Sequence, residues 1–469
     1  MICMPLFTVS LYIFFILLTY QNFSRMKYLS TALFTFTICC STYVFGQEIN
    51  KPKLDSFFNN IETHNKGMGS IIIAKDGKVA YQKSIGYSII NDVEKIPATE
   101  QTRYRIGSIT KMFTSVMIMQ SIEEGQLTLG TTLNKYFPSV PNAKEITIAQ
   151  MLSMKSGIHN YTSDSTFLKW MNSQRSEDEI VKAIAAAQPD FEPGKKQEYS
   201  NSNFVLLGYI LEKIYNKPYG RILKEKITSK IGLKNTYYGS SINTKEQESY
   251  SYKFTDKWIK AEETNIDNAA GAGGIVSTPG DLVKFIDALF AGKLVSTQSL
   301  EQMKTSSGSI YYGMGMLPYH FDEELGYGHN GAIDEFESSL AYFPDNKIAV
   351  CYCSNGVVYT VNDILIGALS IYYDSTYIIP EFKNIIIKPE LLDKYTGVYA
   401  SSKFPMKITI TRQGSALMAQ ATRQQSFILE ATDQNVFKFE KAGLELDFYP
   451  DKNQMELKQA KHDIFLTKE

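Results

Sequence analysis

Three short patterns in the sequence bring together side chains that could perform acyl transfer. Ser108-Ile109-Thr110-Lys111 sets an amine three positions after a hydroxyl. On a helix those two positions share a face, so the lysine can reach the serine. A lysine partly withdrawn from water gives up its proton more readily and can activate the serine as a nucleophile. The start of a helix adds backbone N–H groups and positive potential aimed at any oxyanion that forms. The pattern alone is cheap, because Ser24 and Lys27 repeat it. Taken by itself, Ser108 reads more readily as a plain helix N-cap.

Tyr199-Ser200-Asn201 follows the turn Glu192-Pro193-Gly194 and precedes a helical stretch from Asn203. A phenol and a carboxamide two residues apart in a constrained loop can both face a cleft. The phenol would shuttle protons and the carboxamide would hydrogen-bond an acyl amide. Standing alone, the pair is explained better by a core tyrosine followed by a helix-capping asparagine, and Tyr20-Gln21-Asn22 has the same spacing. The third pattern is Gly328-His329-Asn330-Gly331-Ala332. Of the five histidines, at 64, 159, 320, 329 and 462, His329 alone begins a His-x-Gly. Glycine at 331 would let a substrate approach a strand edge, and the N–H of Ala332 could join that of Ser108 as an oxyanion hole. The competing reading is a turn with a solvated histidine. No zinc-type spacing links the histidines, so neither a metal nor a cofactor is implied.

Such groups need a framework, and the periodicity supplies one. Residues 108–124 read as a helix, apolar at Ile109, Met112, Phe113, Val116, Met117 and Met119 and stopped by Gly125. Residues 54–65 are also helical in period. Residues 70–75 and 78–82 flank Asp76-Gly77, a pair suited to a type I′ hairpin turn. Helical stretches such as 203–214 and 281–290 dominate the region from about 126 to 310, the second opening with Thr278-Pro279-Gly280-Asp281. Strand-like runs return at 338–343 and 347–353, and a helix closes the unit at 361–373. A sheet built from both ends of a segment predicts an α+β fold, an antiparallel sheet flanked by helices with an inserted helical subdomain. Beyond Pro380 the pattern changes. Residues 404–468 hold about six short alternating runs, for example Leu444-Glu445-Leu446-Asp447-Phe448, which predict a small antiparallel meander or barrel. A boundary between Tyr373 and Glu390 gives a domain over 47–380 and an all-β module over 390–469.

In this order, the three patterns resemble those of the serine β-lactamase-like hydrolases: class C β-lactamases, D-alanyl-D-alanine carboxypeptidases and related esterases. Arg105-Ile106-Gly107-Ser108-Ile109-Thr110-Lys111 is similar to the family's nucleophile segment. Ile122-Glu123-Glu124-Gly125-Gln126-Leu127, Ile148-Ala149-Gln150-Met151-Leu152-Ser153-Met154-Lys155-Ser156-Gly157-Ile158 and Ala270-Gly271-Ala272-Gly273-Gly274-Ile275 resemble further landmarks. The likeness runs over roughly residues 50–375. It implies a β-lactamase or penicillin-binding transpeptidase fold. It makes Ser108 the acyl-accepting nucleophile, Lys111 its partner in proton transfer and Tyr199 the general base and acid. Asn201 becomes a ligand of the substrate amide, and His329, Gly331 and Ala332 line the cleft. In the lactamases the strand pattern is usually Lys-Thr-Gly; here it is His-Asn-Gly. A lysine offers a permanent charge to a substrate carboxylate, whereas histidine is only partly charged near neutrality, and Asn330 lacks the threonine hydroxyl. The departure disfavours efficient β-lactam hydrolysis and remains compatible with D-alanyl peptidases and esterases. The tail resembles small β-barrel-like modules appended to such hydrolases. The resemblance implies an acyl-serine hydrolase acting on a D-alanyl peptide, a β-lactam or a small ester. The alternative is a sensor or binding protein on the same fold with little turnover.

Composition narrows the partners. The 48 Lys and Arg nearly balance 49 Asp and Glu, for a formal charge of −1, which leaves no basic footprint for nucleic acid and no acidic tail. The expected partner is a small-molecule or peptide acyl substrate. With 30 Tyr and 27 Phe the chain is too aromatic to be disordered. The first 46 residues read as an export segment: an apolar run over 28–45 follows Met26-Lys27 and ends at Gly46-Gln47. Translation starting at Met26 and cleavage near Gly46 would deliver a periplasmic or secreted bacterial protein. The alternative is a membrane anchor over residues 6–20, slightly short for a span, so any membrane association would come through this segment. Cys3, Cys39 and Cys40 lie there, and Cys39 or Cys40 fits a lipid-attachment signal poorly. Cys351 and Cys353 share one face of a buried strand, too far apart for a relaxed disulfide, and read as small hydrophobes.

Overall fold

The structure is a computed structural model and describes residues 49–469 except 307, 383, 384, 386, 415, 423, 425, 440, 441, 460 and 461. The export segment, the anchor alternative and the cysteines at 3, 39 and 40 lie outside the described residues. Among the described residues no helix is long and apolar enough to cross a membrane.

Helix α1 (Lys51–Thr63) leads into strands β1 (Gly67–Lys75) and β2 (Lys78–Ile85). Asp76 and Gly77 between them both take positive φ, 50° and 70°, as a type I′ turn demands. The chain then forms the central helix α2 (Thr110–Glu123), followed by α3 (Asn201–Tyr215) and α4 (Pro279–Phe290). Thr278 caps α4 by accepting the N–H of Asp281. Strands β3 (Leu317–Phe321), β4 (Glu324–Ile333), β5 (Phe336–Phe343) and β6 (Ile348–Val357) follow, and α5 (Val361–Tyr372) completes the unit. The sheet order is β3-β4-β5-β6-β1-β2, with every neighbour antiparallel. The first hairpin thus docks on the last strand, so the sheet does close from both ends of the sequence.

Alternation along the central strands divides the side chains between two cores. Ile71, Ile73, Val350 and Tyr352 pack against Leu54, Phe57 and Phe58 of α1 and Ile364 and Leu365 of α5. Ile72, Ala74, Cys351 and Cys353 face the opposite layer, built around α2, α3 and α4. There Phe113 and Phe285 stack with centroids 3.7 Å apart. Cys351 and Cys353 are free and buried, their sulfurs 3.8 Å apart. Helix α2 is buried on nearly every side, including Thr110, Lys111, Thr114 and Ser115. The sequence shows only its apolar stripe; the 270–275 segment and the start of α3 cover its polar positions, with Thr114 donating to the Gly271 carbonyl, Thr110 accepting the Ile275 N–H and Lys111 meeting Ala272 and Asn201.

The C-terminal region closes into an eight-stranded barrel, β7 (Gly397–Ser401), β8 (Phe404–Gln413), β9 (Ala416–Ala421), β10 (Phe427–Ala431), β11 (Val436–Phe439), β12 (Leu444–Tyr449), β13 (Gln454–Gln459) and β14 (His462–Lys468). Pairing of β7 with β14 seals it. The interior is filled by Leu417, Leu429, Phe437, Leu446, Phe448 and their neighbours. Tyr377, Ile379 and Phe382 pack on the α1 and α5 side, whereas Leu392 and Tyr395 enter the barrel core. Lys66 of the sheet domain and Glu430 of the barrel form an ion pair across the junction.

Candidate active site

Ser108 sits on a 3-10 turn, Gly107–Ile109, that feeds directly into α2. It makes no capping hydrogen bond to that helix, so the plain N-cap reading is set aside. Its Oγ lies 2.8 Å from the Lys111 Nζ and 2.8 Å from the Tyr199 hydroxyl. The helix face joins the first pair, and the loop ahead of α3 delivers the second.

Lys111 is fully buried, and burial pushes its pKa well below the ordinary lysine value. Its Nζ is also 2.8 Å from the Asn201 Oδ1 and 2.8 Å from the Ala272 carbonyl. Both of those oxygens can only accept. A neutral amine has two N–H bonds, and these two acceptors use both. In that neutral form the remaining lone pair would face the Ser108 hydroxyl and could take its proton. Burial raises the pKa of Tyr199, and the bond to Ser108 opposes this only in part. The phenol therefore stays protonated at rest and donates to the Ser108 oxygen. Of the base and acid roles that the resemblance implies for Tyr199, the resting hydrogen bond shows the donor side, with Lys111 the other titratable group on the Ser108 oxygen.

Asn201 was expected to bind a substrate amide, and both ends of its side chain are engaged within the protein. Its Oδ1 takes a Lys111 proton, and its Nδ2 donates to the Thr162 Oγ1 at 2.9 Å. Thr162 in turn donates to the Asn160 Oδ1, which also accepts the backbone N–H of Asn201. This closed ring fixes the amide orientation and aims its oxygen at the lysine.

His329 is the larger departure. It lies in the middle of β4, not in a turn, and is 1% exposed. Its Nδ1 meets the Asn330 carbonyl and its Nε2 lies 3.0 Å from the Tyr312 hydroxyl. A carbonyl can only accept, so the proton is on Nδ1 and Nε2 accepts from Tyr312. Burial, reinforced by any charge on Lys111, pushes the His329 pKa down to about 3. The expected part-charged imidazole for a substrate carboxylate is therefore a neutral one. It supports Tyr312, whose ring meets Tyr199 edge-on at 5.9 Å.

Gly331 and Ala332 complete the wall. A Cβ on Gly331 would fall 2.1 Å from the Ile106 carbonyl oxygen and 2.9 Å from the Ser108 nitrogen. Glycine here makes room for the nucleophile segment itself, rather than only for substrate. Gly107 takes φ +50°, and a Cβ there would lie 2.7 Å from the Ala332 nitrogen. Strand β3 pairs with β4 only as far as Gly328, which leaves the edge beyond it open. Ile333 and Phe336 pair across the two-residue turn and Gly331 pairs with Ser338. In an antiparallel ladder alternate residues turn their N–H groups away from the partner, so the Ala332 amide faces the open edge beside Ser108. This brings the Ala332 amide to the side of the nucleophile segment.

Comparison with known proteins follows from this arrangement. The sequence pattern described as Beta-lactamase matches residues 57–367. The chain belongs to the beta-lactamase family. A penicillin-binding protein of Bacillus subtilis is 25% identical over 379 residues, 75% of this chain and 83% of that one. A teichoic acid D-alanine hydrolase of Staphylococcus aureus is 27% identical over 268 residues, 57% of this chain and 63% of that one. Among solved structures, the D-amino acid amidase of Ochrobactrum anthropi superposes with a TM-score of 0.60 at 25% identity, covering 69% of this chain and 99% of the amidase. A penicillin-binding protein homologue from Pyrococcus abyssi, at 24% identity and a TM-score of 0.61, shares the fold over 89% of this chain and all of its own. The family is thus one of serine hydrolases of penicillin-binding, D-amino acid amidase and D-alanine hydrolase type.

Beside the family's patterns, the structure adds Tyr312, Asn160, Thr162 and the Ala272 carbonyl to the site. Ala272 lies in a stretch the sequence resemblance singles out, though nothing in the sequence shows that a carbonyl is the working atom. Tyr312 has no sequence signal; it is one of 30 tyrosines, marked by its hydrogen bond to His329 and its ring contact with Tyr199.

Proposed function

We propose that this protein is an acyl-serine hydrolase whose substrates are D-aminoacyl esters or amides, D-alanyl donors foremost. The observation that carries the reading is the Ser108 oxygen held at 2.8 Å from both a neutral amine and a protonated phenol. Ser108 Oγ attacks the acyl carbon as its proton passes to Lys111, and the carbonyl oxygen becomes an oxyanion at the Ser108 and Ala332 amides. The bond to the leaving group breaks, and Tyr199 supplies that group's proton. Water then cleaves the ester on Ser108 by the same groups in reverse. The neutral, buried His329 offers no fixed charge to a carboxylate, which favours donors without one over β-lactams. The names of two relatives, a D-alanine hydrolase and a D-amino acid amidase, point to the same acyl group.

A screen of D-alanyl esters, D-amino acid amides, D-Ala-D-Ala peptides and nitrocefin, with the intact mass followed in parallel, tests this. Turnover is expected to be fastest on D-alanyl esters or amides, with a transient acyl mass on Ser108. A stable adduct without turnover would instead support a sensor on this fold. Export belongs to the same proposal. The first residue of the protein isolated from its host tests it: a start near Gln47 is expected, and a retained Met1 or Met26 would contradict it.

A further inference from the structure

We infer that Arg105 is a positioning residue that sets the oxyanion-binding amides by locking the β4–β5 turn onto the nucleophile segment. Arg105 lies three residues before Ser108, and its side chain is 1% exposed. One end of the guanidinium donates to the Thr264 carbonyl at 2.7 Å and to the Asp334 Oδ2 at 3.1 Å. The other donates to the Ser240 carbonyl at 3.0 Å and pairs with Glu263. Asp334 is the first residue of the β4–β5 turn, with φ +55°, and its side chain is likewise 1% exposed. Its second oxygen accepts the Thr264 N–H at 2.9 Å.

Ala332 is two residues before Asp334, and Ser108 three after Arg105. The ion pair therefore bridges the two chain segments whose amides would share one oxyanion, at a short covalent distance from each. A second tie runs alongside it, because the Ser338 hydroxyl of β5 donates to the Ile106 carbonyl at 2.8 Å. Two buried charges hold each other in place firmly, since separating them strands a charge out of water. An oxyanion hole acts only when its donors are placed for the transition state, so small displacements cost rate more than binding. This inference rests on Ser108 being the acylated nucleophile.

Asp334→Asn keeps the shape and an acceptor for Thr264 while removing the charge that holds Arg105. On a short neutral ester it should lower kcat about tenfold to a hundredfold, with KM within about twofold. A boronic acid that adds the Ser108 oxygen, forming a tetrahedral anion as the serine proton leaves, should bind weaker by a similar factor. Glu263→Gln removes a carboxylate from the same guanidinium without touching the turn, and should leave both quantities within about twofold. A merely structural role would make the two variants alike, or would lower thermal stability with boronate affinity intact; either result overturns the inference. So would unchanged kcat and boronate binding in Asp334→Asn. If Asp334→Asn does not fold, Ser338→Ala must show the same joint loss, and its absence overturns the inference. A wild-type protein that neither turns over an ester nor binds the boronate would fail the hydrolase reading itself, a separate outcome.

Discussion

Lys111 in the sheet domain and Lys458 in the barrel are the same residue put to opposite uses. Lys458 is about one-third exposed and reaches Asp447 and, at 3.2 Å, Glu445 on the neighbouring strand β12, and Glu456 of its own strand at 3.9 Å. Its pKa is raised, first by the hydrogen bond to Asp447. Lys111 is fully buried, and its three partners are a hydroxyl, an amide oxygen and a backbone carbonyl. With no carboxylate among them, burial lowers its pKa. A lysine with a counter-charge is a fixed cation that ties strands together; one buried among neutral acceptors becomes a base. The contrast extends to the regions. The barrel alternates cleanly and fills its own interior, whereas α2 spends buried positions on polar side chains that packing alone would have made apolar.

The sharpest break in that contrast comes from the serine itself. Ser108→Ala should abolish turnover and labelling by a fluorophosphonate, because the covalent route disappears. Its melting temperature should stay within a degree or two, since Ser108 caps nothing. Wild-type-like turnover by this variant would remove Ser108 from the chemistry.

Exchange of each lysine for methionine tests the comparison directly. Lys111→Met should lower kcat/KM by about a thousandfold without lowering stability. The sign follows from the direction of the shift: a lysine whose folded pKa lies below its unfolded one is protonated more readily in the unfolded chain, so it opposes folding until pH rises through the unfolded value. Lys458→Met should leave kcat/KM within about twofold and cost less than about 1 kcal/mol, as a partly exposed ion-pair partner does. Urea unfolding at pH 7 beside ester kinetics measures both.

A smaller effect distinguishes His329. Its folded pKa of about 3 lies below the unfolded value of about 6.5. Its contribution to stability is complete above the unfolded value and is lost as pH falls toward the folded one. Between pH 7 and pH 4.5 that loss is on the order of 2–3 kcal/mol, and His329→Gln should remove it. Unfolding free energies of the two proteins that fall in parallel over this range would show a charged histidine instead.

Least of all should depend on the barrel. A chain ending after Phe382 keeps Tyr377 and Phe382 on the α1 and α5 face, and should retain activity on a small ester within a few-fold. One ending after Tyr373 strips them off and should melt lower. A folded chain ending after Phe382 with no turnover would make the barrel part of the site.

Much of this was legible in the sequence because it is carried by local rules. The 76–77 turn, the stripe of α2 and the alternation of β12 and β13 each follow from a few adjacent residues. Strand β7 was missed because Gly397-Val398-Tyr399-Ala400-Ser401 alternates weakly and gains its place by pairing with β14. In the site, the residues were legible and their states were not. Whether His329 is charged, or how far the Lys111 pKa is lowered, depends on burial and on partners such as Tyr312 and Ala272 that lie elsewhere in the chain. Gly331 shows the same limit: its type pointed to a close approach, and only the fold shows that Ile106 and Ser108 make it.

The central claim is that Lys111 is neutral when Ser108 reacts, and the rate of Ser108 labelling by an uncharged fluorophosphonate as a function of pH tests it most directly. The account predicts a rate that levels off well short of the ordinary lysine pKa of about 10.5, with the plateau lost in Lys111→Met. A rate that climbs tenfold per pH unit up to that value would show a charged lysine at neutral pH, and would contradict the account.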